Sequence, residues 1–251
     1  MSFGQPLLRV FILPQKNFAL KRAHIDINAI EQGIIDRMLM GIDVSYLAIV
    51  IGVILVSMTL HEAMHAYVSY WLGDDTAKAQ GRLTLNPISH IDPFLTLLLP
   101  VTLALLGAPI FGGAKPVPFD PTRVKYGETG AAIVGVAGPL TNLLLAFIAY
   151  GIFAAIGAPG TESTAGLILL LATTVNLGFF IFNMIPIPPL DGSRVLYAFA
   201  PEPARRLMET IERYGVFLVF AIVLIASPLI GAFMRGAMQF FLGVFGWIFG
   251  V

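Results

Sequence analysis

Residues 44–72 read VSYLAIVIGVILVSMTLHEAMHAYVSYWL, an apolar run long enough to cross a bilayer that carries His61, Glu62 and His65 within it. Between Asp43 and Asp74 these three are the only strongly ionisable side chains. A carboxylate at membrane depth is costly to keep and by default marks function. Histidines at i and i+4 share one helix face and can grip one metal ion. The glutamate beside the first histidine can then serve a water at that metal, as a His-Glu-x-x-His pattern requires. The competing reading is a helix whose histidines only pack in the bundle, but it leaves Glu62 in hydrocarbon without a reason.

The rest of the composition agrees with a membrane setting. The 251 residues are 57% hydrophobic and 12% charged, against about 25% charged in an average soluble domain. Net charge is zero and no basic tract stands out, so nothing points to nucleic acid. There are no cysteines, which excludes disulfides, thiolate ligands and cysteine nucleophiles. The N-terminus shows no signal-peptide pattern, since LLRVFIL is broken by Arg9 and followed by Pro14 and Lys16. No internal repeat of the kind that builds duplicated transporter halves is visible.

Gaps between charges give the organisation. Residues 1–43 are mixed in polarity and read as an N-terminal non-membrane or interfacial segment. Residues 44–251 read as one integral membrane domain, all-α and polytopic, with about six transmembrane helices: 44–72, 93–112 (a span or a re-entrant hairpin, with Pro100 and Pro109), 131–157, 164–183, 216–233 and 236–250. Residues 203–214, PARRLMETIERY, carry Leu207, Met208, Ile211 and Tyr214 at helical spacing, which suits a helix lying at the interface. With six crossings, residues 1–43, the 113–130 loop and residues 184–215 share one side. They hold five, three and four of the 15 Lys and Arg. The positive-inside rule then places both termini in the cytosol.

A catalytic zinc usually has three protein ligands and one open position. Asp191, in NMIPIPPLDGSRV, follows a long uncharged run from Ser163 to Leu190. Prolines 186, 188 and 189 break the helix there. Irregular backbone at membrane depth is tolerated where it is buried in protein or lines a wet cavity. Asp191 is therefore a candidate third ligand, with a helix N-cap before Gly192 as the alternative. His90 in NPISHIDP competes for the same role.

Three separated motifs carry a family resemblance. HEAMH at 61–65, GPLTN at 138–142 and NMIPIPPLDG at 183–192 together resemble the site-2 protease family of intramembrane zinc metalloproteases. GRLTLNPISHIDP and GAKPVPFDP resemble connections of its compact bacterial and archaeal branch, without a PDZ domain. The likeness covers roughly residues 44–200, which would be the metalloprotease core. It implies a fold in which the HExxH helix and a proline-broken helix carrying the aspartate form the centre. It implies one zinc ion per chain on His61, His65 and Asp191, with Glu62 as general base. Asn142 and Asn183, with His90, are substrate or oxyanion candidates, although interhelical hydrogen bonding would also explain the asparagines. Gly138 and Pro139 read as close packing and bending. The implied activity is hydrolysis of peptide bonds within or near transmembrane segments of other membrane proteins, in a prokaryotic cell membrane. The implied partners are a transmembrane protein substrate and the lipid bilayer. GRLTL, with its alternating pattern, could offer a strand edge to an extended substrate, an ordinary loop being at least as good a reading. The alternative function is a non-proteolytic membrane metal-binding or metal-transport protein, which would string several ionisable sites along a path. Oligomeric state is not legible.

Overall fold

The structure, a computed structural model, describes residues 44–93, 98, 114–161, 163–215 and 227–251. The expectations for residues 1–43 and for the 93–112 span fall outside them, apart from Pro93 and Leu98. The described residues form α1 (Val44–Trp71), α2 (Thr76–Ala79), a 3-10 turn (Pro87–His90), α3 (Gly127–Ala155), α4 (Thr164–Asn183), α5 (Gly192–Phe199), α6 (Glu202–Glu212) and α7 (Ser227–Phe249). Four helices are long and apolar enough to cross a membrane: Ala48–Trp71, Gly127–Ala155, Thr164–Asn183 and Leu229–Phe249. The chain is thus an all-α polytopic membrane protein.

The centre of the bundle is α3, which packs against α1, α4, α5 and α7. Its buried positions include Gly135, Gly138, Ala146 and Ala149. In a bilayer, helices gain little by hiding apolar surface from lipid, so small residues that admit close backbone contact favour association. Pro139 lies inside this helix and offers no N–H to the Gly135 carbonyl. At the other end of α3, aromatic rings join it to α7. Phe147 and Tyr150 meet Phe245 edge-on, with ring centres 5.3 and 5.6 Å apart.

One expectation changes. The break expected between spans 216–233 and 236–250 is absent, since one helix, Ser227–Phe249, runs through Arg235 and Gly236; residues 216–226 of the first of those spans lie outside the described residues. A single arginine does not stop a helix, because its long side chain can carry the charge away from the backbone it belongs to. Of the two readings of GRLTL the ordinary loop holds; Gly81 turns the chain at φ 67° and Asn86 caps the 3-10 turn through Ile88 N–H.

The polar end of α1 is fastened by one fully buried carboxylate. Asp74 Oδ1 accepts from Thr76 N–H (3.0 Å) and Thr76 Oγ1 (2.5 Å), and Oδ2 accepts from Asp120 N–H (2.8 Å). Lys125 N–H donates to the Leu72 carbonyl at 2.8 Å, so the loop before α3 is tied twice to the end of α1. Asp74→Ala is expected to cost about 2–4 kcal/mol, because it leaves buried donors unmet. A lowered unfolding midpoint in detergent at unchanged metal content checks this; an unchanged midpoint contradicts it.

Candidate metal centre

His61 and His65 lie one helical turn apart on α1, and both are buried. Each uses Nδ1 to bind a fixed acceptor. His65 Nδ1 donates to the Val134 carbonyl at 2.7 Å; a carbonyl only accepts, so that nitrogen carries the proton. His61 Nδ1 faces Asn142 Oδ1 at 2.5 Å. The orientation of that amide follows from a longer chain. Asn176 Nδ2 donates to the Ala172 carbonyl (2.8 Å) and to Ser57 Oγ (2.9 Å). Its Oδ1 therefore faces the other way and accepts from Asn142 Nδ2 at 2.8 Å. Asn142 then has only its oxygen left for His61. Both imidazoles, as neutral rings, present an Nε2 lone pair in the same direction.

The third group arrives from the proline-broken segment. Asp191 stands at the N-cap position of α5 but makes no side-chain capping bond. Its Oδ2 instead lies 3.2 Å from His61 Nε2 and 3.4 Å from His65 Nε2, and the two Nε2 atoms are 3.1 Å apart. Tetrahedral bonds of about 2.0–2.1 Å place neighbouring donors about 3.3–3.4 Å apart. The triangle fits such an ion, with two imidazole nitrogens and one carboxylate oxygen converging on one point. Among the described residues this is the only group of three His, Cys, Asp or Glu side chains close enough to hold one.

Glycines make the approach possible. A Cβ on Gly138 would lie 2.6 Å from His61 Nε2 and within contact of His65 Nε2, so α3 backs directly onto the metal-facing edge. A Cβ on Gly135 would meet Arg194 Cβ at 2.8 Å and the Asp191 carbonyl at 3.1 Å; one on Gly192 would strike the Met184 carbonyl. Close packing was the expected role of Gly138, but its nearest neighbours are the histidines themselves. The Asp191 end is braced from behind: Arg194 pairs with Glu212, and Arg205 donates to the Tyr197 and Ala198 carbonyls at 3.1 Å, closing the end of α5.

Glu62, next to His61 on α1, is half-buried. Its Oε2 accepts from Val117 N–H at 3.0 Å. Asn142 is fully buried, with its amide engaged by His61 and Asn176, so its place is behind the metal triangle. Asn183 ends α4, half-buried, with Nδ2 donating to the Phe179 carbonyl at 3.0 Å. His90 is outside the triangle: Nε2 donates to the Thr84 carbonyl at 2.9 Å, and Nδ1 faces Arg82 Nη2 at 3.4 Å. Asn176 and Ser57 were missed from the sequence. An amide inside the uncharged run after Ser163 was the available signal, since polar groups at membrane depth call for partners.

Comparison with known proteins agrees with this geometry. The model of peptidase family M50 matches residues 158–226. YwhC of Bacillus subtilis is 42% identical over 182 residues, covering 70% of this chain and 79% of the relative. Rip2 of Mycolicibacterium smegmatis is 32% identical over 189 residues, covering 74% and 71%. MJ0611 of Methanocaldococcus jannaschii is 44% identical over 63 residues, covering 25% and 31%. All three carry the name "Putative zinc metalloprotease". No solved structure gives a significant match.

Asn142→Ala is expected to weaken zinc binding about 10- to 100-fold, the usual effect of losing a group that orients a metal-binding imidazole. Asn176→Ala should act in the same direction and less. Gly138→Ala should also weaken it, by crowding both Nε2 atoms. Chelator competition on folded protein checks all three; unchanged affinity in Asn142→Ala would remove the orienting chain from the account.

Proposed function

The chain belongs to peptidase family M50, the site-2 protease family, and from that membership we propose that it hydrolyses peptide bonds within or near transmembrane segments of other membrane proteins. The observation that carries this reading is the convergence of His61 Nε2 and His65 Nε2, flanking Glu62 on a helix apolar enough to span a bilayer, with Asp191 Oδ2 from the start of α5.

In this reading His61, His65 and Asp191 hold one zinc ion per chain. The chemistry a bound zinc supplies is Lewis acidity toward a scissile carbonyl and a pKa near 7 for the attacking water. Glu62 takes the proton from that water and passes it to the leaving amine. Its hydrogen bond from Val117 occupies Oε2 and leaves Oε1 for that exchange. Asn142 acts through His61, whereas Asn183, at the open end of α4, is the better candidate for contact with substrate backbone. A transmembrane substrate hides its amides in helical hydrogen bonds, so it must unwind locally before a carbonyl can reach the site. The setting is a prokaryotic cell membrane with both termini cytosolic, and the pathway class is regulated intramembrane proteolysis.

Glu62→Gln should keep about one zinc per chain and lower turnover of a transmembrane peptide by roughly 10²–10⁴-fold, the range of general-base catalysis. Unchanged cleavage in that variant would sink the role given to Glu62. Metal analysis of His61→Ala and Asp191→Ala should show zinc lost in both. Zinc retained in Asp191→Ala would remove it from the ligand set. Zinc uptake into vesicles without any peptidase activity would favour the transport alternative.

A further inference from the structure

Two buried titratable side chains outside the triangle sit in the connection after α2: Arg82, 5% exposed, and His90, 2% exposed. Arginine is almost never this buried unless its charge and donors are met. Here Nη2 donates to the Lys115 carbonyl at 2.5 Å and faces His90 Nδ1 at 3.4 Å, while the buried Nε has no hydrogen-bond partner. Because His90 Nε2 donates to the Thr84 carbonyl, its Nδ1 is free to accept from the guanidinium. The Lys115 N–H in turn donates to the His90 carbonyl at 2.9 Å. Both polar atoms of the Lys115 backbone are thus pinned to the 82–90 connection.

Two residues further, Val117 N–H donates to Glu62 Oε2. Pro116 and Pro118 flank Val117, which restricts the strap to extended conformations and leaves it little slack. The chain of contacts runs from Arg82 and His90, through residues 115–117, to the carboxylate that the protease reading makes the general base. The charges also communicate: burial lowers the proton affinity of the Arg82 guanidinium, and the negative charge of Glu62 acts against that shift.

We propose that Arg82 and His90 are positioning residues for Glu62, acting through the 115–117 strap, whose Val117 N–H fixes one carboxylate oxygen and so aims the other. The inference rests on the protease reading of the site. It separates two supports, since the metal ligands are oriented from α3 and α4 and the base is oriented from the loop side.

Val117→Pro tests it directly, because it removes the N–H while the neighbouring prolines keep the backbone extended; Val117→Ala keeps the N–H. The full chain is reconstituted with zinc in liposomes and assayed on a quenched-fluorescent transmembrane peptide, with zinc per chain measured alongside. Val117→Pro and Arg82→Gln should lower kcat about 10- to 100-fold, as for loss of one hydrogen bond to a charged group, with KM within about twofold. Zinc content should match wild type, Val117→Ala should turn over normally, and Arg82→Lys should recover part of the loss. Wild-type kcat in Val117→Pro overturns the proposal. Should that variant not fold, equal rates in Arg82→Gln and wild type overturn it instead. A wild-type protein no more active than Glu62→Gln defeats the protease reading and this inference with it, whereas an active wild type with unaffected variants removes this inference alone.

Discussion

The Ala172 carbonyl can only accept a hydrogen bond, and the orientation of every group between it and His61 follows from that. Asn176 must turn its nitrogen to the carbonyl, so its oxygen receives Asn142, and Asn142 must give its oxygen to His61. Each of these amides is almost wholly buried, where an unmet donor or acceptor costs about 1–3 kcal/mol. A reversed amide at any point would set two like groups against each other. The low-dielectric surroundings that make such an error expensive also make the correct direction stable. The imidazole tautomer needed for Nε2 to face a metal is thus fixed in α4, two side chains away from the ring.

The same economy of backbone explains why α3 occupies the centre. It supplies Asn142 and the Val134 carbonyl to the two histidines, and it supplies Gly135 and Gly138 to admit the Asp191 segment and the imidazole edges. A helix carrying larger side chains at those positions could orient the histidines or approach them, but not both. Asp191 must come from a different kind of backbone. A carboxylate inside a continuous helix would have its neighbours' geometry imposed on it, whereas the proline-broken stretch lets it stand at the start of α5 without capping that helix. The Arg194–Glu212 pair and the Arg205 contacts hold α5 from its outer side, so that freedom does not become looseness at the metal edge.

Much of the centre was legible in the sequence because charge in an apolar run has few explanations. His61, Glu62, His65 and Asp191 stood out on that ground, and the three ligand atoms do converge. The family resemblance of GPLTN also made Asn142 visible, but it could not tell substrate contact from support of His61; that distinction needs the direction of an amide, which no sequence pattern encodes. Asn176 and Ser57 sit in runs where their polarity is diluted by apolar neighbours, and their partner lies 119 residues apart in the chain. The break expected between 233 and 236 rested on Arg235 and Gly236, which interrupt hydropathy without interrupting helical hydrogen bonds. The alternation in GRLTL suggested a strand, but a strand needs a neighbour to pair with, and local pattern does not supply one.

Helix geometry divides the labour at the site. Residues four apart share a face, so His61 and His65 turn together toward Gly138 and Asp191. A residue one position on is rotated by about 100°, so Glu62 flanks that face of α1. There it meets a loop backbone, not another spanning helix. A metal grip built from rigid bundle helices tolerates little displacement, since its donors must stay within a few tenths of an ångström of a fixed ion. A base that must accept and then release a proton is better held by a single backbone N–H, which orients a carboxylate without neutralising it. The two demands conflict if one surface must meet both. In the proposed reading, adjacency on one helix keeps Glu62 beside His61, while the loop backbone and not the bundle fixes its carboxylate.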